Sequence, residues 1–137
     1  MTSAPPALAI EALSRGAELV VFAGSLPRGV DTDTYATFVR ELRKLGVTTI
    51  VDTSQVSHTP EHTAACIRGF QEAGLRVVFA YSRGAGPGTR HPHDLRRLKV
   101  QFFASEDQLL TLALQAGMTN TQFWPLAREL GVPIVEH

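Results

Sequence analysis

The sequence predicts an α/β domain, an open three-layer α/β/α sandwich around a parallel sheet of four to five strands. Three observations carry this. Short continuous apolar runs alternate with longer amphipathic stretches, and strands apolar on both faces belong to parallel sheets covered by helices. The 137 residues are 44% hydrophobic and 19% charged, enough for a packed core in one domain over 1–137. That length also falls short of the ~200–250 residues of a closed eightfold barrel.

The elements follow in order. Residues 4–15 read as a possible leading helix. Leu19-Val20-Val21-Phe22-Ala23 is a buried-type strand, closed by the turn Gly24-Ser25-Leu26-Pro27-Arg28-Gly29. Asp31 or Thr32 can cap a helix with Tyr35, Phe38, Val39, Leu42 and Leu45 at helical spacing. Gly46 fits the position just past its end. Thr48–Val51 is a second strand, expected to stop at Asp52-Thr53-Ser54.

Thr59, Pro60 and Glu61 supply a cap, a first-position proline and a first-turn acid for a helix to about Ala73, ended by Gly74. Arg76–Tyr81 is the third strand, and residues 82–93 form a loop rich in Gly, Pro and His. Asp94–Phe103 has helical spacing, Ser105 can cap something short, and Leu109–Leu114 reads as helix or strand. Thr121–Leu130 is helical if Pro125 lies in its first turn. Gly131 stops it, and Val132–Val135 is a last short strand. The pattern is that of Rossmann-like or flavodoxin-like sheets, with strand order left open.

Thirteen basic residues balance thirteen acidic ones, five of each in 1–46 and eight of each in 47–137. A nucleic-acid or anionic-membrane partner is not expected without a basic face. The single cysteine, Cys66, allows neither an internal disulfide nor a cysteine zinc cage. Its neighbours Ala64, Ala65 and Ile67 predict a buried small side chain. No apolar run is long enough to span a bilayer. Residues 1–18 lack a basic stretch followed by a long apolar one. A cytoplasmic location is expected.

Two family resemblances sit in one chain. Val20 to Val30, with its Gly24-Ser25-Leu26-Pro27-Arg28-Gly29 turn, then Tyr35, the helix to Leu45-Gly46 and Asp52-Thr53-Ser54, resembles the phosphofructokinase-B type, ribokinase-like sugar kinases over residues 5–54. Gly46–Asp52 followed by His58-Thr59-Pro60-Glu61-His62 is similar to metal-dependent amidohydrolases of the cytosine-deaminase and chlorohydrolase type. Ala73–Tyr81 and Leu126–Ile134 extend that likeness over residues 46–137. The two share the strand at Thr48–Asp52, with a junction near 46–54. Together they imply an artificial or chimeric α/β chain with no catalytic activity of its own. The alternative is a vestigial sugar-phosphate- or metal-binding enzyme fragment.

The resemblances define what catalysis would need. The sugar kinases use the Asp of a Gly-Ala-Gly-Asp motif as base; here Gly84-Ala85-Gly86 is followed by Pro87, which offers none. The amidohydrolases hold a metal with a His-x-His pair on the first barrel strand, later histidines and a late Asp. Only His137 falls at one of those ligand positions, and it reads equally as the first residue of a tag. No catalytic residue, metal or cofactor is therefore expected, and any small-molecule ligand stays open.

Other candidates read as structure. His91-Pro92-His93 lies in a polar loop and predicts solvated rings. His58 and His62 are separated by the helix start at Pro60 and do not share a helical face. The turn Gly24–Gly29 is the best place for an anion, following a strand and preceding a helix, although it lacks a lysine. Phe123 and Trp124 are expected to pack on the sheet. Sheet edges left open predict self-association as a homodimer or larger.

Overall fold

The computed structural model describes residues 19–24 and 33–136. The possible leading helix at 4–15, the turn beyond Gly24, the caps Asp31 and Thr32, and His137 lie outside them.

The domain is α/β with an all-parallel sheet, as the alternation predicts. In chain order it runs β1 (Leu19–Gly24), α1 (Asp33–Lys44), β2 (Thr49–Ser54), α2 (Pro60–Ala73), β3 (Arg76–Tyr81), α3 (Leu95–Gln101) and β4 (Leu110–Gln115). A single 3₁₀ turn (Thr121–Phe123), α4 (Trp124–Leu130) and the two-residue β5 (Ile134–Val135) follow. The strand order is sequential, β1-β2-β3-β4-β5, the arrangement found to one side of the switch point in a Rossmann-type sheet. The helices α1 and α2, on either side of β2 in the chain, pack against each other.

Local signals fix most boundaries. Thr59 sits in extended backbone and its hydroxyl accepts the His62 N–H at 3.3 Å, with Pro60 opening α2. Gly74 and Gly131 end α2 and α4 at φ 65° and 63°, the left-handed region that glycine enters without strain. Pro125 occupies the first turn of α4, where its missing N–H costs nothing. A 3₁₀ turn replaces the start of the helix expected from Thr121.

Long-range pairing moves other boundaries. Asp52-Thr53-Ser54 do not end β2 but continue it, because they align with Phe22, Ala23 and Gly24. Leu110–Gln115 is a strand, paired with Val77–Tyr81 through five positions. The last strand is shorter than Val132–Val135, spanning only Ile134–Val135, since Pro133 has no N–H to give a ladder. Its carbonyl still accepts the Leu114 N–H at 2.8 Å.

Registered partners in a parallel sheet project to the same face. Ile50, Val77 and Leu110 form one row, and Asp52, Phe79 and Leu112 the next; all six are buried. Val39 and Leu42 of α1, Ile67 and Phe70 of α2, and Leu95 and Leu98 of α3 join them in one core. Phe79 lies 6.4 Å from both Phe70 and Phe103, nearly parallel to the latter.

Candidate functional site

Open parallel sheets present ligands at the carboxyl ends of their strands. Here that rim is built by residues 55–59 after β2, 82–94 after β3 and 116–120 after β4.

The first loop feeds α2. The cap turn at Thr59 brings the rings of His58 and His62 to 5.5 Å, edge to face. The two histidines do not share a helical face, as expected, yet they meet because His58 folds back over the first turn. The Thr59 hydroxyl also lies 2.9 Å from His62 Nδ1. His58 Nδ1 accepts the Ala85 N–H at 2.8 Å, a bond across 27 residues.

The second loop lies directly on the first. A Cβ at Gly84 would stand 2.2 Å from the Ser57 carbonyl carbon and 2.3 Å from His58 N. At Gly88 it would meet the His58 carbonyl oxygen and Thr59 Cγ2 at 3.0 Å. The glycine-rich run 84–88 is therefore a seam between two loops. Ser82 secures its start, donating to Ala80 O at 2.8 Å and to Thr53 O at 3.5 Å. Ser57 Oγ and Thr89 Oγ1 are buried without a hydrogen-bond partner.

His91 is not a solvated ring. It packs between Tyr81 and Phe123, 5.0 and 5.6 Å from their centroids, with Nε2 3.2 Å from the Gln115 carbonyl. It thus ties the ends of β3 and β4. Burial pulls its imidazole below the ordinary histidine range, against a partial lift from the Gln115 and Tyr81 carbonyls. The Tyr81 phenol is pushed up by burial and then by the Asp94 charge. His93, two residues on, is exposed. The imidazole that burial pulls down could have been suspected only from its position between an apolar strand and the Phe123 segment.

Arg97 closes the rim from α3. Its guanidinium grips Asp94 through Nε and Nη2 at 2.7 and 2.6 Å, reaches Gln101 at 2.7 Å, and approaches Pro60 O at 3.4 Å. The fork holds the guanidinium against Asp94, and from there the single contact to Pro60 O joins the start of α3 to the start of α2.

Below the rim, Cys66 Sγ–H points to Asp52 Oδ2 at 3.9 Å. Burial first, and then the neighbouring Asp52, push the Cys66 thiol well up, so at neutral pH it is a thiol and a poor nucleophile. This is the buried small side chain that its neighbours predict. Among the described residues, no group of three or more His, Cys, Asp or Glu side chains could hold a metal ion. No helix of the described residues is long and apolar enough to cross a membrane.

Away from the rim, Phe123 packs partly against the core as expected. Trp124 does not; it is 48% exposed and lines an open groove of about 450 Å³ with Thr121, Pro125, Arg128 and Glu129. Glu129 is held by Arg96, with Nη2 to Oε2 at 2.7 Å. Trp124 opens α4 directly after the 3₁₀ turn, while Ala127 is the residue of that helix that enters the core.

The rim is therefore a hydrogen-bonded platform of backbone, imidazole and glycine, in which the Thr59 hydroxyl meets the His62 imidazole and the Ala85 N–H meets His58. No protein-family model matches the chain, and neither a curated protein nor a solved structure matches it.

Proposed function

We propose that this chain is a non-catalytic, chimeric α/β domain in which a sugar-kinase-like segment and an amidohydrolase-like segment share one sheet. The observation that supports it is the double pairing of β2. On one side it aligns with β1 over six positions, Leu19 with Thr49 through Gly24 with Ser54. On the other it aligns with β3 from Thr49 with Arg76 to Asp52 with Phe79. The strand where the two resemblances overlap is the strand that joins their partners. A parallel ladder is made by main-chain groups, so a strand acceptable to both families can carry a neighbour from each.

Two measurements test this. Unfolding in urea, followed by Trp124 fluorescence and by backbone circular dichroism, is expected to give one coincident transition, as a shared sheet requires. Two separate transitions would show that the segments fold apart. Fructose phosphate with ATP, and cytosine-like substrates with zinc or iron, are expected to turn over at background. Turnover that disappears on substituting Gly24 or His137 would overturn the non-catalytic reading.

A further inference from the structure

We propose that His58 is a proton-operated latch that holds the 82–94 loop onto the start of α2. This goes beyond the proposed function and holds whether or not the chain is catalytic.

The hydrogen bond from Ala85 to His58 Nδ1, 2.8 Å long, has only one possible sense. A backbone N–H donates and never accepts, so Nδ1 must present its lone pair. A neutral imidazole then carries its proton on Nε2. Adding a second proton places N–H against N–H at this contact, and the bond is lost. Histidine is the side chain whose ordinary titration falls between pH 5 and 8.

The rest of the seam makes the bond consequential. Gly84 lies against the Ser57–His58 peptide, and Gly88 lies against the His58 carbonyl. The loop therefore rests on the backbone that carries the latch, without room to slide sideways. Charged and titratable groups on each element that packs here are few. From α2 there are His62, in ring contact, and Glu61 in the first turn. From α3 comes Arg97, which reaches Pro60 O, and from the loop itself Arg83, beside Gly84. The same geometry sets the His58–His62 pair apart from a chelating one. A cation at His58 Nε2 would have to displace the proton that the Ala85 bond keeps there.

The test uses nitrogen-15 NMR of the whole chain between pH 8 and pH 5. At pH 8 the His58 ring is expected in the Nε2–H form. Protection of the Ala85 amide, corrected for its intrinsic exchange rate, is expected to fall about tenfold on the way to pH 5, in step with His58 protonation. In His58→Asn the side-chain oxygen occupies the Nδ1 position and does not titrate, so protection is expected to stay flat. In His58→Leu it is expected to be low at both ends of the range. If the leucine variant does not fold, wild type and the asparagine variant decide. An Nδ1–H tautomer at pH 8, flat protection in wild type, or an equal fall in His58→Asn would each overturn the latch.

Discussion

Replacing Gly84 by alanine adds one methyl group where the structure has no space for it. The new Cβ would lie 2.2 Å from Ser57 C, 2.3 Å from Ser57 O and 2.3 Å from His58 N, against 3.4 Å for ordinary contact. All three atoms belong to backbone, so no rotamer change relieves the overlap. Either the 82–88 segment or the 56–58 segment must retreat by roughly 1 Å, and that retreat also stretches the bond from Ala85 to His58. Overpacking costs typically ~1–3 kcal/mol, and a clash with two backbone segments falls at the upper end, about 3 kcal/mol. For a domain of this size that is roughly a 10 °C drop in Tm. The matched control is Gly117→Ala, whose nearest neighbour is Asn120 Nδ2 at 3.7 Å, an ordinary contact. It is expected to change stability by less than about 0.5 kcal/mol. Thermal unfolding by circular dichroism, with urea midpoints as a second measure, separates the two. If Gly84→Ala unfolds together with Gly117→Ala, the loops do not touch as described.

Three further outcomes are expected. Phe79→Ala removes a ring with 1% exposure that lies between Phe70 and Phe103, and about 3–5 kcal/mol should be lost by urea denaturation; a loss under about 1 kcal/mol would mean that the three rings do not pack together. Burial lowers the His91 imidazole from its ordinary 6.5, so the unfolded chain binds more protons in that range. His91 therefore contributes stability that is present above pH 6.5 and lost as pH falls through that value toward the lower folded one. His91→Gln should show a smaller decline between pH 8 and pH 5 than wild type, and identical slopes would refute it. Finally, β1 and β5 each pair on one side only among the described strands, so sedimentation at micromolar concentration should show a dimer or larger species; a 14.9 kDa monomer throughout would show both edges to be covered.

What the sequence made legible is what short-range physics controls. Thr59-Pro60-Glu61 announces a helix start, and Gly74 and Gly131 announce ends, because each acts within one turn of its own backbone. The run Arg76–Tyr81 reads as a strand because Val77 and Phe79–Tyr81 are apolar and buried. By contrast, Asp52-Thr53-Ser54 resembles turn chemistry, and pairing with Phe22–Gly24, and of Asp52 with Phe79, keeps it extended. Leu109–Leu114 has no periodicity that separates helix from strand until β3 lies beside it. The rim was least legible. His91 reads as a solvent-facing loop residue unless Tyr81 and Phe123 are known to flank it, and the bond from Ala85 to His58 spans 27 residues. The glycines at 84–88 did carry a signal, since close backbone approach is a main reason for glycine outside a turn.

The side chains of β2 also explain how the sheet keeps its register. Main-chain hydrogen bonds in a parallel ladder are nearly the same in every register, so they cannot choose one. Side chains can, because a slip of one residue sends each of them to the opposite face. In β2, Ile50 is fully buried in a row with Val77 and Leu110. Two residues later Asp52, also fully buried, faces the Cys66 thiol of α2. A slip would take Ile50 out of its apolar row and move the Asp52 carboxyl away from the Cys66 donor into surroundings chosen for Val51 or Thr53. Burying a carboxyl without its hydrogen-bond partners costs several kcal/mol at least, more than any single ladder bond returns. Asp52 thus acts, together with Ile50, against any slip of β2 by one residue on either side.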